Sequence, residues 1–231
     1  MLQPKLRAPE LASSNRLAAP TFNLRLLGFF ALFLFLYVGT ENAIGGWITT
    51  YAQRFSGMTL EDATALAFLY WLALLAGRAI ASLALSFLSE RTVLSFALLA
   101  GLAALVVLLE SRSSHSALIA VAIAGAGFGP VFPIGVSRMM GRGADSHGTG
   151  WVFATSASGG ALLPWLTGLF STHAGSLRIG FLVPFVSLSV IFIMALLENR
   201  ALGYPVAITG GARMTAREIH CTRGPVTGRL V

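Results

Sequence analysis

The chain has 231 residues, of which 55% are hydrophobic and only 11% are charged, and its mean hydropathy is +0.77. Soluble domains carry about 25% charged residues, so this composition excludes a soluble globular protein. The single cysteine, Cys221, excludes a disulfide framework and a cysteine-rich metal site. A net charge of +7 is a feature of many nucleic-acid-binding proteins, but here the placement of the charge indicates membrane topology and no nucleic-acid partner.

Residues 1–25 contain scattered prolines and charges without an apolar run, and they are predicted to form a flexible cytoplasmic linker. Six apolar runs follow, each close to the length that a helix needs to cross a lipid bilayer. We expect transmembrane helices at about 26–50, 64–88, 93–110, 117–137, 149–170 and 179–197. The sequence lacks the alternating strands of a membrane barrel. The predicted fold class is therefore an all-α integral membrane six-helix bundle over residues 26–197.

The basic residues fall mainly on one side of these predicted helices. Twelve of the 16 lysines and arginines lie in the termini and in the loops after the second and fourth helices. Three lie in the opposite loops, and Arg78 lies within a span. Because cytoplasmic loops collect Lys and Arg, we expect a multi-pass protein of the cell membrane with both termini in the cytoplasm. Residues 198–231 show no sustained periodicity and are predicted to form a disordered cytoplasmic tail or a poorly constrained extension.

Two charged residues lie well inside predicted helices. Glu41 is about 22 Å from the cytoplasmic start of the first helix, and Arg78 is about 16 Å from the inner end of the second. Each charge would cost about 2.5–3.5 kcal/mol at the centre of an isolated helix. We therefore expect both side chains to face a bundle interior or a water-filled cavity, where they are close enough in depth to pair. Two alternatives stay open: Glu41 is wetted at the outer interface, and Arg78 snorkels or has a structural partner.

Glycine and proline interrupt the fourth and fifth predicted helices. The residues concerned are Gly125, Gly127, Gly129, Pro130 and Pro133 in the fourth, and Gly159, Gly160 and Pro164 in the fifth. Small residues allow close helix contact, and prolines free backbone carbonyls. The pattern suits either static packing or the gating helices that line the cavity of a secondary transporter. The glycine spacing does not match a dinucleotide fingerprint, and no histidine lies within a span to act as a base. We therefore expect no enzyme activity, cofactor or metal.

Neutral polar and aromatic residues accompany Glu41. Asn42 adjoins it, and Trp47, Tyr70 and Trp71 lie far enough into their helices to line a cavity, although interfacial anchoring is the default for each aromatic residue. Aromatic faces pack against sugar rings, so this set favours a polyol or sugar over a strongly charged solute. The candidate substrate-binding or coupling residues are Glu41, Asn42, Trp47, Tyr70, Trp71 and Arg78.

Four segments in this order resemble a known family: YVGTENAIGGWITTYA, YWLALLAGR, GAGFGPVFPIGVSRM and GGALLPWLTG. Together they resemble the C-terminal half of a major facilitator superfamily (MFS) transporter, with the greatest similarity to the fucose/glucose–galactose permease-like group, over about residues 21–197. The resemblance implies an inverted 3+3 helix repeat and alternating access by two six-helix bundles that bind a small solute between them. It also implies proton or sodium coupling and, since this chain supplies six of the twelve helices, a second six-helix half as partner.

One loop departs from the family pattern. Residues 89–92 form a degraded version of the family's basic gating loop, in which Glu90 and Arg91 remain candidates for inner-face salt bridges with Arg138 or Arg142. The main rival to a transport function is a non-transporting membrane assembly or scaffold subunit that uses its glycine-rich faces for packing.

Overall fold

The computed structural model of the chain describes residues 24–144 and 146–202. Within these ranges every regular element is a helix: α1 (Leu24–Phe55), α2 (Leu60–Ala84), α3 (Glu90–Glu110), α4 (Ser114–Phe128), α5 (Val131–Gly141), α6 (Ser146–His173), α7 (Leu177–Gly180) and α8 (Leu182–Leu202). The predicted all-α fold class is confirmed. The predicted linker and tail lie outside the described residues, except for the few that belong to α1 and α8.

Six helical segments correspond to the six predicted spans, because α4 with α5 forms one segment and α7 with α8 forms another. By length and composition, five segments of the described chain could cross a membrane: Leu24–Phe55, Leu60–Ala84, Glu90–Glu110, Ser114–Gly141 and Leu177–Leu202. The other segment, α6, has 28 residues and a length of about 42 Å, which exceeds the ~30 Å hydrocarbon core. It is less apolar because small and polar residues occupy it from Thr155 to Gly160.

Three helices begin before their apolar runs because polar residues cap their first turns. Thr59, Ser89 and Ser113 precede α2, α3 and α4, and each side-chain oxygen accepts a hydrogen bond from a backbone N–H in the first turn. Such caps satisfy donors that the helix itself leaves unpaired. Helices α2, α3 and α4 therefore start at Leu60, Glu90 and Ser114, three or four residues before the predicted starts at 64, 93 and 117.

The fourth span is not one continuous helix, because Gly129 and Pro130 separate α4 from α5. Pro130 offers no backbone N–H to the carbonyl of Ala126, and Pro133 offers none to the carbonyl of Gly129. We call the segment from Phe128 to Pro133 the α4–α5 break. It places backbone acceptors that lack their helical donors in the interior of the bundle.

Helix α1 is the central helix and packs against α2, α5, α6 and α8. Tyr37 and Tyr51 on α1 and Tyr70 on α2 are each no more than 1% exposed. Their hydroxyl groups bond to other helices; the Tyr51 hydroxyl, for example, donates to the carbonyl of Leu108 at the end of α3 at 2.9 Å. These buried rings with paired hydroxyls fix the position of α1 relative to α2, α3 and α4.

Helix α8 continues to Leu202, five residues beyond the predicted end of the last span. Within this extension Glu198 is only 4% exposed. The prediction that a disordered tail begins at residue 198 is therefore wrong for residues 198–202, since ion pairs hold Glu198 within the bundle.

Candidate functional site

The structure brings the two charges inside the helices together. Glu41 on α1 has a side chain only 12% exposed, and the Nη2 atom of Arg78 on α2 lies 3.9 Å from its Oε2 atom. The Arg78 side chain is 44% exposed and keeps this contact instead of extending to the inner surface. The two residues form an ion pair that links the middle of α1 to the last third of α2.

Tyr37 completes the surroundings of Glu41 and is absent from the candidates chosen on sequence. It lies one helical turn before Glu41, and its hydroxyl donates to Oε2 of that carboxylate. The same hydroxyl oxygen is 2.8 Å from the carbonyl oxygen of Phe128 in the α4–α5 break. The i, i+4 spacing of Tyr37 and Glu41 is the sequence signal that points to their contact.

Arg78 also contacts the α4–α5 break. Its Nε donates to the carbonyl of Gly129 at 3.3 Å, the carbonyl that Pro133 leaves without a helical donor. A Cβ atom on Gly129 would lie 2.5 Å from the carbonyl oxygen of Leu74, so only glycine permits this close approach of the break to α2. The break is therefore held by side chains of α1 and α2 that also contact Glu41.

The aromatic candidates divide into one exposed ring and two rings that join helices. Trp71 is 43% exposed and packs over Gly45 of α1. Tyr70, in contrast, is fully buried and donates to the backbone carbonyl of Glu41 at 3.1 Å. Trp47 donates from its indole N–H to the carbonyl of Pro164 at 2.9 Å and thereby ties α1 to α6. The expectation that Tyr70 lines a cavity is wrong, because its ring and hydroxyl are enclosed by α1 and α4.

Asn42 uses its amide within its own helix. Its Nδ2 donates to the carbonyl of Val38 at 2.8 Å, and the side chain packs against Gly160 of α6. Asn42 is half-buried and lies beside Glu41 on α1, facing the α6 side. Of the candidate residues at this depth, Trp71 and Arg78 are the most exposed.

The two cavities described in the structure lie away from Glu41. One, of about 350 Å³, is lined by residues near the α1–α2 and α3–α4 loops that include Met58, Asp62 and Ser114. The other, of about 400 Å³, is an apolar groove between α2, α3 and α4. Within residues 24–144 and 146–202, no group of three or more acidic, cysteine or histidine side chains is arranged to hold a metal ion. Glu41 lines neither of these cavities, and beside it the exposed side chains of Trp71 and Arg78 form an open face where α1 meets α2.

A second charged cluster lies where the start of α3 meets the ends of α5 and α8. The guanidinium groups of Arg138 and Arg142 both bond to the carboxylate of Glu198. Arg138 also lies 3.5 Å from Glu90, measured from Nε to Oε2. Arg91 makes no ion pair within the described part of the chain. The structure therefore brings together three of the four predicted inner-face residues and adds Glu198, which sequence reasoning assigned to the tail.

The glycines of α4 and α6 mark the closest helix contacts. A Cβ atom on Gly125 would lie 2.5 Å from the carbonyl oxygen of Tyr70, and one on Gly127 would lie 2.8 Å from that of Ala97. On α6, Gly159 packs against the backbone of Phe35 and Gly160 against Val38. These residues allow α4 to approach α2 and α3, and α6 to approach α1.

No protein-family model matches the sequence. Over 203 residues the chain is 24% identical to the glucose/galactose transporters of two Brucella abortus strains, biovar 1 strain 9-941 and strain 2308. The match covers 86% of this chain and 48% of each relative. The chain thus spans about half the length of the curated relatives it matches.

Two solved structures of FucP share the fold. A variant of the E. coli fucose:proton symporter aligns with a TM-score of 0.67 and 23% identity over 75% of this chain and 42% of that chain. A structure described as an MFS transporter in the outward conformation aligns with a TM-score of 0.66 and 23% identity over 77% of this chain and 43% of that chain. The chain therefore has the fold of about half of an MFS transporter. These relatives are transporters and not enzymes, which agrees with the prediction from the sequence.

Proposed function

We propose that this chain is the C-terminal six-helix half of an MFS secondary transporter that moves a small, sugar-like solute by alternating access. It lies in the cell membrane with both termini in the cytoplasm, and a second six-helix bundle completes the solute path. Transport is coupled to a proton or a sodium ion. The glucose/galactose transporters of Brucella abortus and the fucose:proton symporter support this class of solute and of coupling.

The observation that carries the proposal is the Glu41–Arg78 ion pair on the open face of α1 and α2. Charged side chains inside a membrane bundle mark substrate or ion pathways, because they are costly anywhere else in the hydrocarbon core. A neutral solute suits the pair, since the carboxylate and the guanidinium already balance each other's charge. Trp71 is exposed two helical turns before Arg78, so a sugar ring on Trp71 would present its hydroxyl groups to Arg78 and Glu41.

The open face also supports a partner bundle. Arg78 and Trp71 are both more than two-fifths exposed in the single bundle. In an intact transporter, a second bundle would cover this face and turn it into the wall of a central cavity. The inner-face ion pairs of Arg138, Arg142, Glu90 and Glu198 tie α3, α5 and α8 together, which supports movement of this half as one body.

The proposal is tested by supplying a second six-helix bundle. The chain is fused to the part of the Brucella abortus glucose/galactose transporter that the match leaves uncovered, and the fusion is reconstituted into liposomes. We expect uptake of labelled glucose, galactose or fucose under an ion gradient. We also expect Glu41→Gln to reduce this uptake about tenfold or more, because it removes a charged hydrogen-bonding partner. Glu61→Gln, an exposed change at the start of α2, is the matched control.

Two results would contradict the proposal. A folded fusion that catalyses neither uptake nor counterflow of any of these sugars would favour the scaffold function. Unchanged uptake in both Glu41→Gln and Asn42→Ala would remove the Glu41 site from the solute path.

A further inference from the structure

The hydroxyl of Tyr37 has one hydrogen but two acceptors within reach. One is Oε2 of Glu41, and the other is the carbonyl oxygen of Phe128 at 2.8 Å. A tyrosine hydroxyl donates a single hydrogen bond, while its oxygen can accept others. Tyr37 therefore satisfies either the carboxylate or the carbonyl. Both contacts are satisfied together only when Glu41 itself supplies a hydrogen.

Arg78 likewise contacts both Glu41 and the α4–α5 break. Its Nη2 faces Oε2 of Glu41, and its Nε donates to the carbonyl of Gly129. Both groups that contact this carboxylate oxygen therefore also contact carbonyls of the α4–α5 break. A change in the charge of Glu41 must alter the bonding of the break, because the break shares its donors with Glu41.

We propose that Glu41 is a proton-binding site and that Tyr37 transmits its protonation to the α4–α5 break. This inference rests on the proposed transport function and names the coupling ion for it. The neighbours of Oε2 are a hydrogen-bond donor and a cation, namely the O–H of Tyr37, which donates to it, and the Nη2 atom of Arg78 at 3.9 Å. A hard metal cation takes several oxygen ligands instead. The site is therefore built for a proton and not for sodium.

Protonation of Glu41 rearranges the hydrogen bonds and leaves Tyr37 neutral. With Glu41 ionised, Tyr37 donates to the carboxylate and Arg78 pairs with it. A proton from water converts the carboxylate into an acid, whose O–H donates to the Tyr37 oxygen. Tyr37 keeps its own hydrogen and turns it to the Phe128 carbonyl, while Arg78 loses its ionic partner and keeps its bond to Gly129. Protonation thus adds a donor to the break and removes the ion pair between α1 and α2.

Few other charges face Glu41. Tyr37 lies on its own helix, and α2 contributes Arg78 and Tyr70, whose hydroxyl bonds to the Glu41 backbone carbonyl. In the described parts of the other helices that pack on α1, the titratable side chains lie in or beside terminal turns: His115 on α4, Arg138 and Arg142 on α5, His147 and His173 on α6, and Arg178, Glu198 and Arg200 on α7 and α8. Proton binding at mid-bundle is therefore a property of Glu41 and its three neighbours.

The first test detects the proton on the full chain in lipid nanodiscs. Infrared difference spectra recorded during acidification are expected to show the C=O band of a protonated carboxylic acid that is lost in Glu41→Gln. Glu110→Gln, at the exposed end of α3, is the matched control and is expected to retain that band. If the same bands appear in Glu41→Gln and in the parent chain, Glu41 does not bind the proton and the proposal is overturned.

The second test measures transmission to the break at one alkaline pH. Glu41→Gln carries the neutral side chain of the protonated state, and its amide N–H can donate to the Tyr37 oxygen. We expect hydrogen exchange of residues 125–136 to slow about threefold relative to the parent chain, the effect of one added hydrogen bond. In a Tyr37→Phe background this difference should disappear. Equal exchange in the parent chain and Glu41→Gln, or a difference that survives in Tyr37→Phe, would overturn the proposed transmission.

These measurements separate the two proposals because neither requires transport. A proton band assigned to Glu41 with no sugar uptake by the fusion would leave the proton site standing and reject the transport function. Sugar uptake without a Glu41 band would reject the proton site alone.

Discussion

Glu198 is the residue on which the inner-face ion pairs converge. Its carboxylate receives the guanidinium groups of Arg138 and Arg142, and its side chain is only 5% exposed. We expect Glu198→Gln to lower the free energy of unfolding by about 3 kcal/mol, because Arg138 and Arg142, both largely buried, would lose the carboxylate that they share, and Glu90 would remain as a partner for Arg138 alone. Denaturation of the purified chain in mixed micelles measures this loss.

The control for this change is Glu61→Gln, which removes a carboxylate from an exposed position in the first turn of α2. Its interaction with the helix terminus contributes less than about 1 kcal/mol. Equal destabilisation by the two substitutions would show that the inner-face pairs add nothing beyond an ordinary surface charge.

At the scale of helices, the contact between α1 and α6 depends on glycine. A methyl group on Gly159 would collide with the backbone carbonyl of Phe35, which cannot move without displacing α1. We expect Gly159→Ala to destabilise the bundle by about 2 kcal/mol, a typical cost of overpacking. The same denaturation experiment measures the change.

Gly28 provides the matched control on α1. No atom lies within 4 Å of the position that its Cβ would occupy. Gly28→Ala is therefore expected to stabilise the chain by about 0.5–1 kcal/mol, because alanine loses less backbone entropy than glycine in a helix. If Gly159→Ala were also stabilising, the close approach of α1 and α6 would not exist in the membrane.

The helices and the place of the α4–α5 break could be predicted from the sequence because both depend on local features. The interruption predicted in the fifth span does not occur, since α6 is one helix that continues through Pro164. Long apolar runs define the spans, and Pro130 and Pro133 cannot donate to the helix in which they lie. The donors that reach the break could not be predicted in this way. Helices that are apolar all round do not reveal which face meets which neighbour, so the contact of Tyr37 with Phe128 follows only from docking.

The partners of residues at the ends of the bundle, and those of the aromatic residues, also could not be predicted from the sequence. Glu198 follows the last apolar run, so hydropathy assigns it to the tail, whereas its partners lie some sixty residues earlier, Arg138 on α5 and Arg142 directly after it. Trp47 and Tyr70 combine an apolar ring with a polar atom, which suits a cavity wall as well as a helix contact. Only the positions of the Pro164 and Glu41 carbonyls decide between these two roles.

At the scale of the whole molecule, the distribution of basic residues predicts the orientation in the membrane. An even number of spans places both termini on one side, and the positive-inside rule places them in the cytoplasm. The single cysteine, Cys221, lies in the C-terminal segment and makes this orientation measurable without adding a residue. We expect a membrane-impermeant maleimide to label Cys221 in inside-out vesicles and not in intact cells.

An outer-loop cysteine supplies the opposite control. Ala174 is exposed in the loop between α6 and α7, so Ala174→Cys in a Cys221→Ser background should react in intact cells and be protected in inside-out vesicles. Labelling of Cys221 in intact cells would show that the orientation is opposite to the predicted one. Labelling of both positions only in inside-out vesicles would mean that neither α6, the least apolar of the long helices, nor the α7–α8 segment that follows it crosses the bilayer. The labelling pattern therefore tests both the charge rule and the membrane crossing of the helix that composition alone supports least.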